Sequence, residues 1–435
     1  MATFTDYNKV QPGVYVRFQG KTQASGMVGT RGIMTMPTEV DWGAENILIH
    51  VTPTQFASDA LRLFGYRADS AELLCIREAL KAASELVLYR TNGGGTKATA
   101  QVGGVTATAL YGGTRGNSIK ISVEQNGALF DVVTVLDGAQ LDRQTVSDGS
   151  QLKANGFVTF EPHSELTVSP AVSLAGGTNI AVTEAVYDAY FALMATESFN
   201  TIGYCGNDTA IKNKFADFVR SMREEQGRMV QCVLYDFDGD YEGVINLKNG
   251  VILSDGTVVN GDKAVAFVAA ASAAASVSTS LTNAVYPDAV SADVKYSPSQ
   301  LEQLTAQGAM VFYTDGQSAR ILSDINSLVT LTDNKSVDFK SNRVIRVADG
   351  IVNDVTKLFT QSFMGNMTNS KSGRSLFKSS LISYFDKLYS MGAIERVDAQ
   401  SINVLQGATK RDVVAEISVI PVDSMEKLYM SITIE

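Results

Sequence analysis

The chain has 435 residues, of which 45% are hydrophobic and 19% charged, and its formal net charge at pH 7 is −10. This length and composition predict a soluble globular protein with ample core, divided into about two to four domains. The acidic balance and the lack of any long Lys/Arg run argue against a nucleic-acid-binding surface, which needs clustered positive charge.

No segment of the sequence predicts export or binding to a membrane. Residues 1–9 lack a basic region followed by an apolar stretch. The longest apolar run, Ala264 to Val277, is shorter than the roughly 20 residues that a membrane span needs. The cysteines, Cys75, Cys205 and Cys232, are odd in number and lie in apolar runs, so we expect reduced core thiols and folding in the cytoplasm.

Alternation near the N-terminus predicts a strand. Val14, Val16 and Phe18 share one face of it, and the turn signal Gln11-Pro12-Gly13 comes directly before them. Because this strand precedes the first unit of helix and strand, we assign residues 1–20 to an N-terminal arm.

Residues 21–95 are predicted to form the first part of an α/β region. Leu73, Ile76 and Leu80 fall on one face of a helical pattern, and the apolar run Leu86 to Tyr89 then reads as a strand. A helix that leads into a strand is typical of α/β structure.

Residues 96–177 differ in composition and predict an inserted all-β domain. They are rich in Gly, Thr and Val, and Ile119 to Val123 alternates between apolar and polar residues. Asn126-Gly127 and Asp137-Gly138 are hairpin turn signals between such runs.

Helix and strand patterns alternate again over residues 178–325, which predicts a layered α/β domain. A hairpin is predicted from Val244–Leu247 and Val251–Leu253 with its turn at Asn249-Gly250. The other predicted elements are helices over 184–196, 211–226 and 263–276, a helix beginning at Ser297-Pro298, and strands over 201–205 and 229–235.

Residues 326–422 predict an α+β C-terminal domain. Two long helices, Val344 to Met364 and Ser375 to Met391, are separated by a polar loop from Gly365 to Gly373. A strand-like pattern follows through Val413 to Val422.

The last segment, residues 423–435, is predicted to be a C-terminal strand arm. Leu428, Met430, Ile432 and Ile434 alternate with other residues and share one face. A strand at the chain end must pair inside its own subunit or add to the sheet of another subunit. The residues alone favour pairing inside the subunit and leave exchange open.

The motifs that could carry chemistry are incomplete. Gly93 to Lys97 lacks the glycine spacing and following helix of a phosphate-binding loop. Asp236, Asp238 and Asp240 have calcium-loop spacing, but Tyr241 stands where that loop needs glycine. No catalytic triad or zinc spacing is present in the sequence, so we predict no enzymatic activity, no metal and no cofactor.

Several motifs, taken in order, resemble contractile tail sheath proteins, particularly those of prophage and defective-phage tails of Gram-positive bacteria. The resemblance spans nearly the whole chain. The motifs are Pro12-Gly13-Val14-Tyr15-Val16, Gly112 to Asn117 with the alternating Ile119 to Val123, Glu242 to Asn246, Asp262 to Asn283, and the two C-terminal segments Val413 to Val422 and Leu428 to Ile434, which look like paired strands.

The resemblance implies a fold of α/β plus all-β structure: a β-sandwich-like inserted domain, a subtilisin-like middle domain without a protease site, and a C-terminal inner-layer domain. It also implies that both terminal arms add strands to neighbouring subunits. The subunit would then build stacked hexameric rings around a tail tube, between a baseplate and a tail terminator, and contract to drive the tube through a cell envelope.

Other functions stay open at this point. The particle could be a phage tail, a tail-like bacteriocin or a related contractile injection system. A hydrolase-like α/β enzyme predicts a pocket with converging carboxylates, and a tail accessory protein predicts termini paired within the subunit.

Overall fold

The computed structural model describes residues 28–161 and 165–434. The predicted strand with Val14, Val16 and Phe18 lies outside the described residues. The chain divides into two compact units: the larger consists of Arg31–Arg346 with the segment that begins at Ser424, and the smaller consists of Val347–Asp423 with residues 28–30.

Helices and strands occupy most of the described residues. The helices are α1 (Pro53–Phe64), α2 (Leu74–Leu80), α3 (Glu184–Met194), α4 (Thr209–Glu224), α5 (Gly261–Ala274), α6 (Pro298–Ala306), α7 (Asn342–Ser362) and α8 (Lys371–Ser390). The strands are β1 (Ile33–Thr38), β2 (Leu48–Val51), β3 (Glu85–Arg90), β4 (Lys97–Val102), β5 (Val105–Gly112), β6 (Ile119–Asn126), β7 (Leu129–Leu136), β8 (Ala139–Val146), β9 (Val158–Phe160), β10 (Ser169–Ser173), β11 (Thr201–Gly203), β12 (Gln231–Tyr235), β13 (Val244–Leu247), β14 (Val251–Leu253), β15 (Val258–Val259), β16 (Ala289–Ala292), β17 (Ala309–Met310), β18 (Phe312–Thr314), β19 (Ala319–Ile321), β20 (Asn403–Gln406) and β21 (Val413–Glu416).

A seven-stranded sheet forms the centre of the larger unit, with the spatial order β17, β13, β12, β11, β1, β3, β2. Its neighbouring strands are parallel except for β2, which runs antiparallel to β3. Side chains alternate between its faces: Leu86 and Leu88 of β3 pack with α1, α2 and α5, whereas Val87 and Tyr89 pack with α3 and α4. This confirms a layered α/β domain.

The small-residue helix α5 packs closely against the sheet. Almost every one of its residues is buried, because alanines let the helix lie against β1, β11, β12 and α2 at once. The Thr201 hydroxyl donates to the Ala269 carbonyl oxygen at 2.7 Å. A Cβ at Gly203 would approach Val265 and Ala269 at 3.2 and 3.3 Å, so a small residue suits this contact.

The predicted all-β domain is confirmed as two packed sheets, β10-β6-β7-β8 and β4-β5-β9, that share one apolar core. The turn between β7 and β8 is the expected one. Asp137 and Gly138 both have positive φ, 51° and 78°, which matches the twist of a two-residue hairpin.

The predicted hairpin over residues 244–253 is wrong. β13 pairs in parallel with β12 and β17, whereas β14 pairs with β15 and β16 in a separate sheet. The Asn249 side chain exchanges two hydrogen bonds with the Phe312 backbone, of 3.0 and 2.8 Å, and the Gly250 N–H donates to Asp293 Oδ1 at 2.8 Å. These hydrogen bonds to residues distant in the sequence fix the segment that connects β13 in the central sheet to β14 in the separate sheet.

The smaller unit contains α8, the C-terminal part of α7 and the hairpin β20–β21. Phe359, Phe363 and Phe377 pack with ring centroids 4.9 to 6.4 Å apart. The predicted strand over 413–422 is shorter than expected, since β21 ends at Glu416. Within the described residues β21 pairs with β20, so the expected pairing of this segment with the C-terminal arm is absent from the single chain.

A buried ion pair fixes the end of the larger unit. Asp324 accepts from the Arg346 guanidinium, from the Leu281 N–H at 2.9 Å and from Asn342 Nδ2 at 3.1 Å. The side chains of Asp324 and Arg346 are each 1% exposed, so their charges are shielded from water. A buried charge that loses its partner is strongly destabilising.

Replacing Asp324 with alanine should therefore lower the free energy of unfolding of the larger unit by about 3–5 kcal/mol. Denaturant unfolding, followed by the fluorescence of the buried Trp42, measures this change. Asp59, which forms an exposed pair with Arg62, is the control, and Asp59→Ala should cost less than about 1 kcal/mol. Equal losses in the two variants would contradict the role of the buried pair.

Candidate assembly site

The C-terminal arm, residues 424–434, is extended and exposed. The structure places the four predicted apolar side chains in water: Leu428 is 84% exposed, Met430 71%, Ile432 73% and Ile434 92%. No strand is formed from these residues in the single chain. Large apolar side chains that are exposed together are typical of interaction surfaces.

The root of the arm is held in place. The Thr282 hydroxyl donates to Glu426 Oε1 at 2.6 Å, and Thr282 Oγ1 itself accepts from the Asp324 N–H at 2.9 Å. Beyond Lys427, no hydrogen bond joins the arm to another described residue. The arm is thus anchored at its start and available from Leu428 onward.

The hairpin β20–β21 has two open edges. Its strands pair only with each other among the described residues, in a register that sets Leu405 opposite Val414. These two side chains are 54% and 43% exposed. An isolated two-stranded hairpin is marginally stable in water, and its unpaired N–H and C=O groups can accept further strands.

The smaller unit holds this hairpin in a defined position. Asn369 Nδ2 donates to the carbonyl oxygens of Lys410 and Asp412 at 3.1 and 2.8 Å, which ties the hairpin turn to the loop before α8. The Gly407 N–H donates to the Asp412 carbonyl oxygen at 2.9 Å and closes the turn. Pre-positioned strands can accept a new strand without first becoming ordered themselves.

This hairpin was not predicted from the sequence to accept another strand. A usable signal was present, because the short apolar pairs Val404-Leu405 and Val413-Val414 flank a turn that begins at Gly407. Neither pair is long enough to show a strand period, so the partner of each was hidden.

The glycine-rich segment before β4 forms a domain junction. A Cβ at Gly95 would lie 1.6 Å from the Thr178 carbonyl oxygen, so the chain segments that enter and leave the β-sandwich touch here. The Thr96 hydroxyl donates to the Gly176 carbonyl oxygen at 2.6 Å. β4 follows at Lys97, where a phosphate-binding loop would need a helix.

The aspartates with calcium-loop spacing already have partners. Lys248 Nζ lies 2.6 Å from Asp236 and 3.2 Å from Asp238, while Asp240 Oδ1 accepts from the backbone N–H groups of Val329 and Thr330. Over residues 28–161 and 165–434, no group of three or more His, Cys, Asp or Glu side chains is arranged to hold a metal. In the same ranges no helix combines the length and apolarity of a membrane span.

Four domain families of sheath proteins match consecutive parts of the chain. They are the tail sheath protein Gp18 domain III N-terminal region over residues 31–91, the phage tail sheath protein beta-sandwich domain over 93–179, the phage tail sheath protein central domain over 181–327, and the phage tail sheath C-terminal domain over 334–435.

Relatives match over nearly the whole length. The chain is 33% identical to the phage-like element PBSX protein XkdK of Bacillus subtilis, across 99% of this chain and 98% of that protein. It is 39% identical to the sheath tail protein of Desulfitobacterium hafniense, whose crystal structure superposes with a TM-score of 0.87 over 95% of this chain and 97% of that one. The contracted helical sheath of the anti-feeding prophage, 12% identical, shares the fold alone, with a TM-score of 0.60 over 97% and 98% of the two chains.

These matches confirm the resemblance found in the sequence motifs. The two relatives with 33% and 39% identity are aligned from end to end, and the domain matches follow the chain in order. The chain therefore belongs to the phage tail sheath protein family, whose members are the structural subunits of contractile tails.

Proposed function

We propose that the C-terminal arm adds a strand to the hairpin β20–β21 of a neighbouring subunit. This proposal rests on two features that fit each other. The arm is exposed and has one apolar face, and the two-stranded hairpin has open edges that can accept a strand. Strand addition satisfies the backbone groups of both and covers Leu428, Met430, Ile432 and Ile434.

The N-terminal arm takes the other edge of the same hairpin in this proposal. Val14, Val16 and Phe18 have the alternation of a strand, and the hairpin has two edges, one for each arm. Such a contact joins different surfaces of two subunits, so it is heterologous and propagates into rings or helices. Stacked hexameric rings around a tail tube meet this geometry.

Contraction then requires no chemistry in the subunit. Rigid units slide and rotate while the exchanged strands keep the subunits joined, and the contracted state has the lower free energy. The subunit acts without enzymatic activity, nucleotide or cofactor; its partners are other sheath subunits, the tube, the baseplate and the tail terminator. Assembly takes place in the host cytoplasm, and the tail-like particle is the final location.

We propose the following domain organisation for this function. The arms are residues 1–20 and 423–435, the inserted β-sandwich-like domain is 96–177, the middle domain is 21–95 with 178–325, and the inner layer is 326–422. We infer a subtilisin-like topology for the middle domain, whose parallel sheet lies between helices on both faces.

Two matched double variants test the arm. Met430→Asp with Ile432→Asp places two charges on the apolar face, where burial of each native side chain contributes about 1.5–3 kcal/mol. Ser431→Asp with Thr433→Asp adds the same charge to the opposite face. Electron microscopy of purified protein should show hollow tubes from the second variant and none from the first.

Deletion of residues 428–435 extends this test. The shortened chain should remain folded, because the side chains of residues 428–434 are exposed, and it should form no tubes. Tubes of normal length and stability from the deletion, or from the apolar-face variant, would show that the arm does not join subunits.

The acceptor hairpin is tested by Leu405→Asp. Because Leu405 is exposed in the single subunit, its replacement should change the free energy of unfolding by less than about 1 kcal/mol while greatly reducing tube formation. Val168→Asp, at a 61% exposed position beside β10 in the β-sandwich, is the control and should leave the tube yield unchanged. A wild-type tube yield from Leu405→Asp would place the acceptor elsewhere.

A further inference from the structure

A cleft opens at the carboxyl ends of three strands of the central sheet. Its volume is about 350 Å³, and it lies where β1, β3 and β11 end. Thr38, Thr91 and the segment Tyr204 to Gly206 line it from the sheet, and Cys75 of α2 lines it from the helix layer. Small molecules can therefore reach two of the three cysteines of the chain.

Cys75 and Cys205 meet in this cleft. Both line it, close enough for each thiol to shift the pKa of the other, and Cys205 Sγ lies 3.8 Å from Met36 Sδ. Lys263 Nζ donates to the Cys205 carbonyl oxygen at 2.8 Å and also lines the cleft. The two thiols thus lie beside a cation, next to open space in an otherwise packed core.

The surroundings shift the pKa values of the two thiols in opposite directions. The hydrogen bond from Cys205 lowers the pKa of the Cys75 thiol, with a further contribution from the Lys263 ammonium, and the same hydrogen bond with burial raises the pKa of Cys205. Asp262 and Glu78 oppose the lowering at Cys75. Cys75 is the better nucleophile, because the thiolate is the reactive form.

The third cysteine, Cys232, differs from these two in its access to solvent. It is completely buried in the core between the sheet and α4, and burial raises its pKa to about 12. It does not line the cleft. Because Cys232 is buried away from the cleft, oxidants in solution do not reach it.

We propose that Cys75 and Cys205 form an intramolecular disulfide when the folded protein meets a peroxide. The Cys75 thiolate attacks one peroxide oxygen; the O–O bond breaks, hydroxide leaves and Cys75 becomes a sulfenic acid. The Cys205 thiol then attacks the Cys75 sulfur, an S–S bond forms and water is released. Two thiols lose two electrons in total, and one hydrogen peroxide gains them to become two waters.

The disulfide would join α2 to the end of β11. These elements belong to parts of the chain that flank the inserted β-sandwich, so the bond closes a long loop across the domain. A cross-link of this kind restricts the unfolded chain more than the folded one, which raises stability. This inference concerns the chemistry of the central domain and does not depend on strand exchange.

The experiment uses the full chain treated with a small excess of hydrogen peroxide. Thiol titration in denaturant should fall from three free thiols to one, and peptide mass spectrometry should find Cys75 joined to Cys205. Non-reducing electrophoresis should show a monomer, and the melting temperature should rise by about 2 °C or more and return after dithiothreitol.

Single serine variants separate the three cysteines. Cys75→Ser and Cys205→Ser should each abolish the cross-linked peptide and the rise in melting temperature, whereas Cys232→Ser should retain both. Three remaining thiols in the oxidised wild type, a disulfide between subunits, or a Cys75 sulfinic acid without a cross-link would overturn the proposal. The wild-type measurement decides the matter even if a variant fails to fold.

Discussion

Every backbone N–H and C=O group of a strand needs a partner, and this requirement is met unevenly along the chain. In the central sheet five of the seven strands pair with a neighbour on both sides. Among the described residues, the hairpin β20–β21 leaves both edges open, and residues 428–434 form no strand pairing. Because an unpaired strand gains both hydrogen bonds and apolar burial when it joins a sheet, the unmet requirement favours assembly.

The larger unit, in contrast, is held together by buried interactions that make it rigid. Helices cover both faces of its sheet, α5 is buried on nearly all sides, and the Asp324–Arg346 pair is shielded from water. Packed cores move as rigid bodies and do not deform continuously. The larger unit is therefore suited to transmit motion as one body.

The carboxyl edge of a parallel sheet is where α/β proteins usually place their ligand sites. In this chain that edge carries Cys75, Cys205 and Lys263 beside tyrosines. The sequence alone did not predict that these residues share a cleft, because Cys75 and Cys205 are far apart in the chain and each lies in an ordinary apolar run.

The amino-acid sequence by itself determined the features that depend on near neighbours. Alternation predicted a strand with one apolar face from Leu428 to Ile434, and Asp137-Gly138 specified its hairpin because both residues tolerate positive φ. Only the tertiary structure decided which sheets the strands on either side of Asn249-Gly250 join, that the edges of β20–β21 are open, and that Cys75 and Cys205 line one cleft. Those outcomes depend on contacts between distant segments, such as that of Asn249 with Phe312, and local periodicity contains no information about which distant residue will supply the partner.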